Sequence, residues 1–187
     1  MSVRGPRNLQ SQIFNLTSFP VVYHCLVNLL RFLMLLSLAV WLGALIFFPV
    51  VAQISFALLP TAHLAGLVVR SSLLKLHWMG LGCGIVFLAS SALYNRVLLG
   101  RMRVLAFSHT LVLAMLGLTA LSQFRLIPHM ESLRLAAGEI NALATSDPVR
   151  MQFESLHVWS TRVEGTVLVL GIVVLYAVSR RLASSRG

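Results

Sequence analysis

Apolar residues run through this chain in four long stretches, each almost free of formal charge. Phe32 to Val69 contains no Asp, Glu, Lys or Arg, and neither does Leu76 to Asn95 or Val104 to Phe124. The fourth stretch, Gly165 to Ser179, is shorter, so its helix must begin earlier and carry charged residues with it. A helix needs about 20 mostly apolar residues to cross the hydrocarbon core of a bilayer. The pattern predicts an all-α fold, an integral membrane four-helix bundle with spans at residues 30–52, 73–95, 103–126 and 158–180. Together these make one transmembrane domain over residues 29–183, between an N-terminal tail (1–28) and a short C-terminal tail (184–187).

Helix breakers and caps refine the pattern. Pro49 is a site for a kink near the far end of span one. Pro60 and Thr61 mark a turn and a helix start, from which helix two reaches about residue 98. That is longer than a bilayer requires, so its first turns project beyond the membrane. Span three stops before Pro128. Between Met130 and Ala144, the residues Leu133, Ala136, Ala137, Ile140 and Leu143 share one face, which predicts a short amphipathic helix between spans three and four. Ser146-Asp147-Pro148 combines an N-cap with proline at the first helical position. Helix four therefore runs from 148 to about 183 and projects as helix two does.

Composition supports lipid as the solvent. Hydrophobic residues make up 58% of the chain and charged residues 11%, against about 25% charged in soluble domains. Mean hydropathy is +0.87. A soluble fold of this composition would expose large apolar patches. The net charge of +10 does not imply nucleic acid, because no basic cluster is interleaved with aromatics. Lys and Arg instead mark helix ends. Cys25 and Cys83 form no CxxC motif and no disulfide framework. The first apolar stretch is too long for the core of a cleavable signal peptide and reads as a signal anchor.

Charge also sets the orientation. Arg4, Arg7 and Arg31 before span one, Arg96, Arg101 and Arg103 between spans two and three, and Arg180, Arg181 and Arg186 at the end fall on one side without any acid. The other side holds Arg70, Lys75, Arg125, Arg134, Arg150 and Arg162 along with all five acidic residues, which lie between Glu131 and Glu164. The positive-inside rule then places both termini in the cytoplasm, in a multi-pass protein of the inner (plasma) membrane.

Two projecting helices carry polar stripes. On helix two, His63, Arg70 and His77 recur at heptad spacing; on helix four, Glu154, His157, Thr161 and Glu164 stand at i, i+3, i+7 and i+10. Each set shares one face. Arg70 precedes Arg96 by as many residues as Glu154 precedes Arg180, which puts the two at one height and predicts an ion pair between them. Solvation of a projecting bundle is one role for these stripes. A functional site is the other, since ionisable groups inside membrane proteins are expensive to keep there. The candidate site is His63, Arg70, His77, Glu154, His157 and Glu164, with Glu164 the deepest charge. His63, His77 and His157 are the candidate metal ligands, for copper or haem iron, although no two histidines have the spacing of a metal motif. His109, in span three, reads as an interhelical hydrogen-bonding group. Gly80-xxx-Gly84 lets another helix approach closely. No P-loop, nucleophile elbow or dinucleotide fingerprint is present, and no catalytic set emerges.

The stretch from Leu38 to Phe48 (LAVWLGALIFF), Val50 to Phe56 (VVAQISF), Ala65-Gly66, Ile127-Pro128 with Arg134, and Phe153 to Ser160 (FESLHVWS) resembles a bacterial family of four-helix membrane proteins of unknown function, related to the transmembrane protein 205-like proteins. This chain has Gln53 where the family pattern suggests proline. The resemblance implies four spans and no established reaction. The layout is also loosely similar to small copper-resistance membrane proteins of the CopD type.

Three expectations follow. The first is a non-enzymatic membrane protein, without cofactor, that acts by association with other membrane proteins or itself or in adaptation to membrane stress. The alternative is a transporter or metal-handling protein (copper or haem) with an outer-facing His/Arg/Glu site between helices two and four. An integral membrane enzyme is the third.

Overall fold

A computed structural model describes the backbone of residues 9–99 and 107–184 and the side chains of residues 21–97 and 107–180. The side chains of Arg4, Arg7, Arg101, Arg103, Arg181 and Arg186, which the orientation argument uses, lie outside those described. Helices account for nearly all of the described chain, which contains no strand. Helix α1 spans Leu9–Leu58, α2 Ala62–Leu99, α3 Phe107–Leu121, α4 Ile127–Ala137 and α5 Pro148–Ser184. A π-helical turn (Ser122–Leu126) joins α3 to α4, and a short 3₁₀ turn (Ile140–Ala142) precedes α5. Four continuous helical segments, with α3, the π turn and α4 as one, are long and apolar enough to cross a membrane. The protein is a four-helix bundle, and α5 is the helix four of the sequence.

Local chemistry explains most helix ends. Thr61 Oγ1 accepts from the Leu64 amide at 3.2 Å and caps α2. Asp147 Oδ1 accepts from the Val149 amide at 2.8 Å and caps α5, with Pro148 following it. Gly138, at φ +71°, ends α4 in a conformation that side chains resist, and its amide reaches the Arg134 carbonyl at 3.0 Å.

Two elements depart from expectation. Helix α1 begins at Leu9, so the described part of the expected tail is helical. No glycine interrupts the sequence from Leu9 to Leu42, and the helix also passes Pro20 and Pro49 unbroken. Span three does not stop before Pro128. Proline cannot donate to the carbonyl four residues back and its ring crowds that group. The π turn at Ser122–Leu126 absorbs the mismatch, with the Ile127 amide bonding the Ser122 carbonyl five residues back. The expected amphipathic helix is therefore α4, continuous with the third span.

The helices form a ring: α1 packs on α2, α2 on α3, α3 on α5 and α5 on α1. Helices α2 and α5 thus stand on a diagonal. The core is a stripe of Met34, Leu38, Trp41, Leu42 and Leu45 from α1 against Phe87 of α2, Val112 and Met115 of α3, and Val163, Val167 and Val174 of α5. The α2 glycines act as the spacing implies. A side chain at Gly80 would run into the Trp41 indole, and one at Gly84 into Leu116 of α3. The outward faces expose Phe32, Leu36, Ile46, Phe47, Ile85, Val169, Ile172 and Val173. That surface fits lipid contact.

One end of the bundle carries the acids. The opposite end carries Arg31, which donates to the Tyr94 hydroxyl at 2.9 Å, and Arg180, whose guanidinium sits 5.8 Å from the Tyr176 ring. Trp78 and Trp159 are exposed toward the acid-bearing end. Trp78 lies about 27 Å along α2 from Arg96 at 1.5 Å rise per residue, roughly one hydrocarbon thickness. Interfacial aromatics of this kind mark the two edges of a bilayer.

Candidate functional site

At the acid-bearing end the helices line a partly open cavity of about 690 Å³, within the usual size of ligand pockets, about 300–1,000 Å³. Its apolar walls come from Leu45, Phe48, Ala52 and Phe56 of α1 and from Phe153 and Leu168 of α5. Gly66 of α2 and Gly165 of α5 line it too, and each has open space where a side chain would stand. Helix α4 and the following turn form the roof with Ile127, Met130, Glu131, Arg134 and Ile140. The position of this roof follows from the π turn, which carries the third helix on past Pro128.

Charges at the roof are tied together. Glu131 takes Arg134 bidentately, at 2.8 and 3.0 Å, and also the Arg70 guanidinium at 3.1 Å. This cluster clips α2 to α4. His63 Nε2 is 3.4 Å from Arg134. Beside the cavity, Gln152 of α5 meets His129 of α4 at 3.1 Å. Arg150 donates to the Leu143 carbonyl at 2.9 Å and to Glu154 at 2.8 Å, which holds the start of α5 against the loop before it.

The floor holds the deepest polar contact. His77 of α2 is fully buried, with side-chain exposure of 0%, and its Nε2 lies 2.6 Å from Glu164 Oε1, across the bundle diagonal on α5. Its Nδ1 meets Gln123 Oε1 of the π turn at 3.0 Å. One imidazole thereby joins three of the four spans. The second oxygen of Glu164 is buried and has no hydrogen-bond partner among the described residues, while Glu164 itself lines the cavity.

The structure gathers most of the sequence candidates. His63, Arg70, His157 and Glu164 line the cavity, and His77 bonds Glu164 from α2. The expected Arg70–Glu154 ion pair does not form. Arg70 pairs with Glu131, and Glu154, 58% exposed, pairs with Arg150 one turn away on its own helix. The two residues share a height, but Glu154 points away from the diagonal. Sequence reasoning missed Glu131, Arg134 and Gln123. Glu131 and Arg134 stand at i, i+3 on one helix, a readable pairing. Gln123 is the one amide side chain in the charge-free stretch from Val104 to Phe124. His109 is buried in α3, away from this cavity lining. Among the described residues, no three His, Cys, Asp or Glu side chains are grouped so as to hold a metal ion. His63, His77 and His157 therefore do not form a three-ligand group.

Residues 36–139 match the model of a family described as a domain of unknown function, DUF4149. The chain belongs to the DUF4149 family. No curated protein and no solved structure matches it. The DUF4149 segment covers α2, α3 and α4 and the C-terminal part of α1, so it contains Arg70, His77, Gln123, Glu131 and Arg134. Glu164 and His157 lie beyond it, on α5.

Proposed function

We propose that this DUF4149 protein is a non-enzymatic, multi-pass membrane protein that holds a small amphiphilic molecule in the cavity at its acid-bearing end. The observation that carries the reading is a 690 Å³ space walled by apolar and aromatic side chains, with a buried carboxylate at its floor. Such a space suits a ligand that is mostly apolar and carries one polar head. The Thr161 hydroxyl of the cavity wall is engaged, donating to the His157 carbonyl at 3.0 Å. The mostly apolar, aromatic walls of the cavity favour an organic occupant over the metal alternative. The charge asymmetry supports a plasma-membrane protein with cytoplasmic termini, in which case the cavity faces outward. Association with a membrane partner, or a role under membrane stress, would then depend on what fills it. The transmembrane protein 205-like resemblance, which implies no reaction, accords with this.

Binding of the neutral dye N-phenyl-1-naphthylamine to the full chain in lipid nanodiscs tests the reading. Wild type should bind the dye saturably. Gly66→Trp and Gly165→Trp, which fill open space in the cavity, should bind it at least about tenfold more weakly. Equal dye binding by wild type and both filled variants would overturn the proposal.

A further inference from the structure

The contacts of His77 link its hydrogens to the orientation of one amide. With Gln123 Oε1 turned toward the ring, Nδ1–H donates to it across 3.0 Å. At 2.6 Å, Nε2 and Glu164 Oε1 also need a hydrogen between them, because two lone pairs that close would repel. Either His77 is an imidazolium beside a carboxylate, or a carboxylic acid donates to a neutral ring. Both forms contain the same proton and both make the pair neutral overall. Neutrality suits a buried site, where an uncompensated charge is strongly disfavoured.

Removing that proton has a defined consequence. The Gln123 amide turns so that its NH₂ donates to Nδ1, the ring keeps one hydrogen on Nε2, and that hydrogen donates to Glu164. Glu164 is then a carboxylate with no balancing charge, and its second oxygen, unpartnered and buried, belongs to a residue that lines the cavity. A cation in the cavity would replace the lost proton as its counter-charge.

The remaining charged groups balance. Apart from Glu164, the lining contains two carboxylates, Glu131 and Glu139, against two guanidiniums, Arg70 and Arg134, with His63 and His157, so an ionised Glu164 is the carboxylate left without a counter-charge. Glu131 already engages both guanidiniums. Helix α1 contributes no titratable group to the lining. On α2, Lys75 is exposed; on the π turn, Arg125 is exposed; on α5, the Arg162 guanidinium lies 5.6 Å from the exposed Trp159 ring. Around the cation would stand Phe48, Phe56 and Phe153, and aromatic faces attract cations.

We infer that the cavity takes a lipophilic cation and that the His77–Glu164 pair exchanges its proton for it. This rests on the reading of the cavity as an amphiphile site and names the class of amphiphile. The exchange balances: cation enters, one proton leaves through the cavity to water, and no covalent bond is made.

Tetraphenylphosphonium, which has no proton of its own to lose, is the probe, with the full chain in nanodiscs. Its dissociation constant should fall as pH rises, by up to about tenfold per unit where one proton is exchanged, and binding in weakly buffered solution should release about one proton per cation. Glu164→Gln should lose most of the cation affinity while the neutral dye still binds, which shows that the variant folds. Cation affinity unchanged between about pH 5.5 and 8.5, or wild-type affinity in Glu164→Gln, would overturn the exchange and leave the cavity reading standing. Absence of neutral-dye binding to wild type would remove both.

Discussion

His77 is the residue on which the interior turns. Its two ring nitrogens are both occupied, by side chains from two other spans, and none of its surface is exposed. Removing one member of a buried hydrogen-bonded ionic pair strands the other, at a cost of about 3–5 kcal/mol, whereas replacing both with apolar groups is often neutral. His77→Leu should therefore lower the thermal unfolding temperature of the detergent-solubilised protein substantially. The double variant His77→Leu, Glu164→Leu should recover most of that loss. An unchanged unfolding temperature in the single variant would show that the contact adds nothing to the fold. The residues of this site were only half readable. Periodicity put His77 and Glu164 on the inward stripes of their helices, because a helix repeats its face regardless of its neighbours. The choice of partner was not readable. Counting along two helices gives relative height and says nothing about rotation about each axis, so Arg70 and Glu154 matched in height and still missed each other.

Elements set the distances that this chemistry needs. Helix α2 approaches α1 at Gly80, under the Trp41 indole, and α3 at Gly84, against Leu116. Gly82, between them, faces open space. Gly80→Leu and Gly84→Leu should each destabilise the bundle by about 1–3 kcal/mol through overpacking, while Gly82→Leu should leave the unfolding temperature nearly unchanged. Equal effects at all three positions would contradict this packing. The same contrast separates what the sequence disclosed about elements from what it did not. Thr61 and Asp147 cap their helices through bonds made within a few residues, so the starts of α2 and α5 could be read directly. The passage through Pro128 could not, because a π turn depends on whether the surrounding bundle holds the helix on course after its hydrogen bonding is broken. The roof of the cavity, with Glu131 and Arg134, exists because that turn keeps α4 in line.

At the scale of the molecule, the apolar stretches determined four helices, and the gathering of all five acids at one end determined one polar end. The cavity there was not legible, since its lining comes from α1, α2, α4 and α5 together rather than from any one segment. The proposed outward orientation of that cavity joins the fold to the proposed function and admits one decisive measurement. In a chain carrying Cys25→Ser and Cys83→Ala, a single thiol at Thr161→Cys lines the cavity wall. Intact spheroplasts treated with a membrane-impermeant maleimide should show this thiol modified from the outside, more slowly when the neutral dye is present. Modification only after the membrane has been permeabilised would contradict an outward-facing cavity.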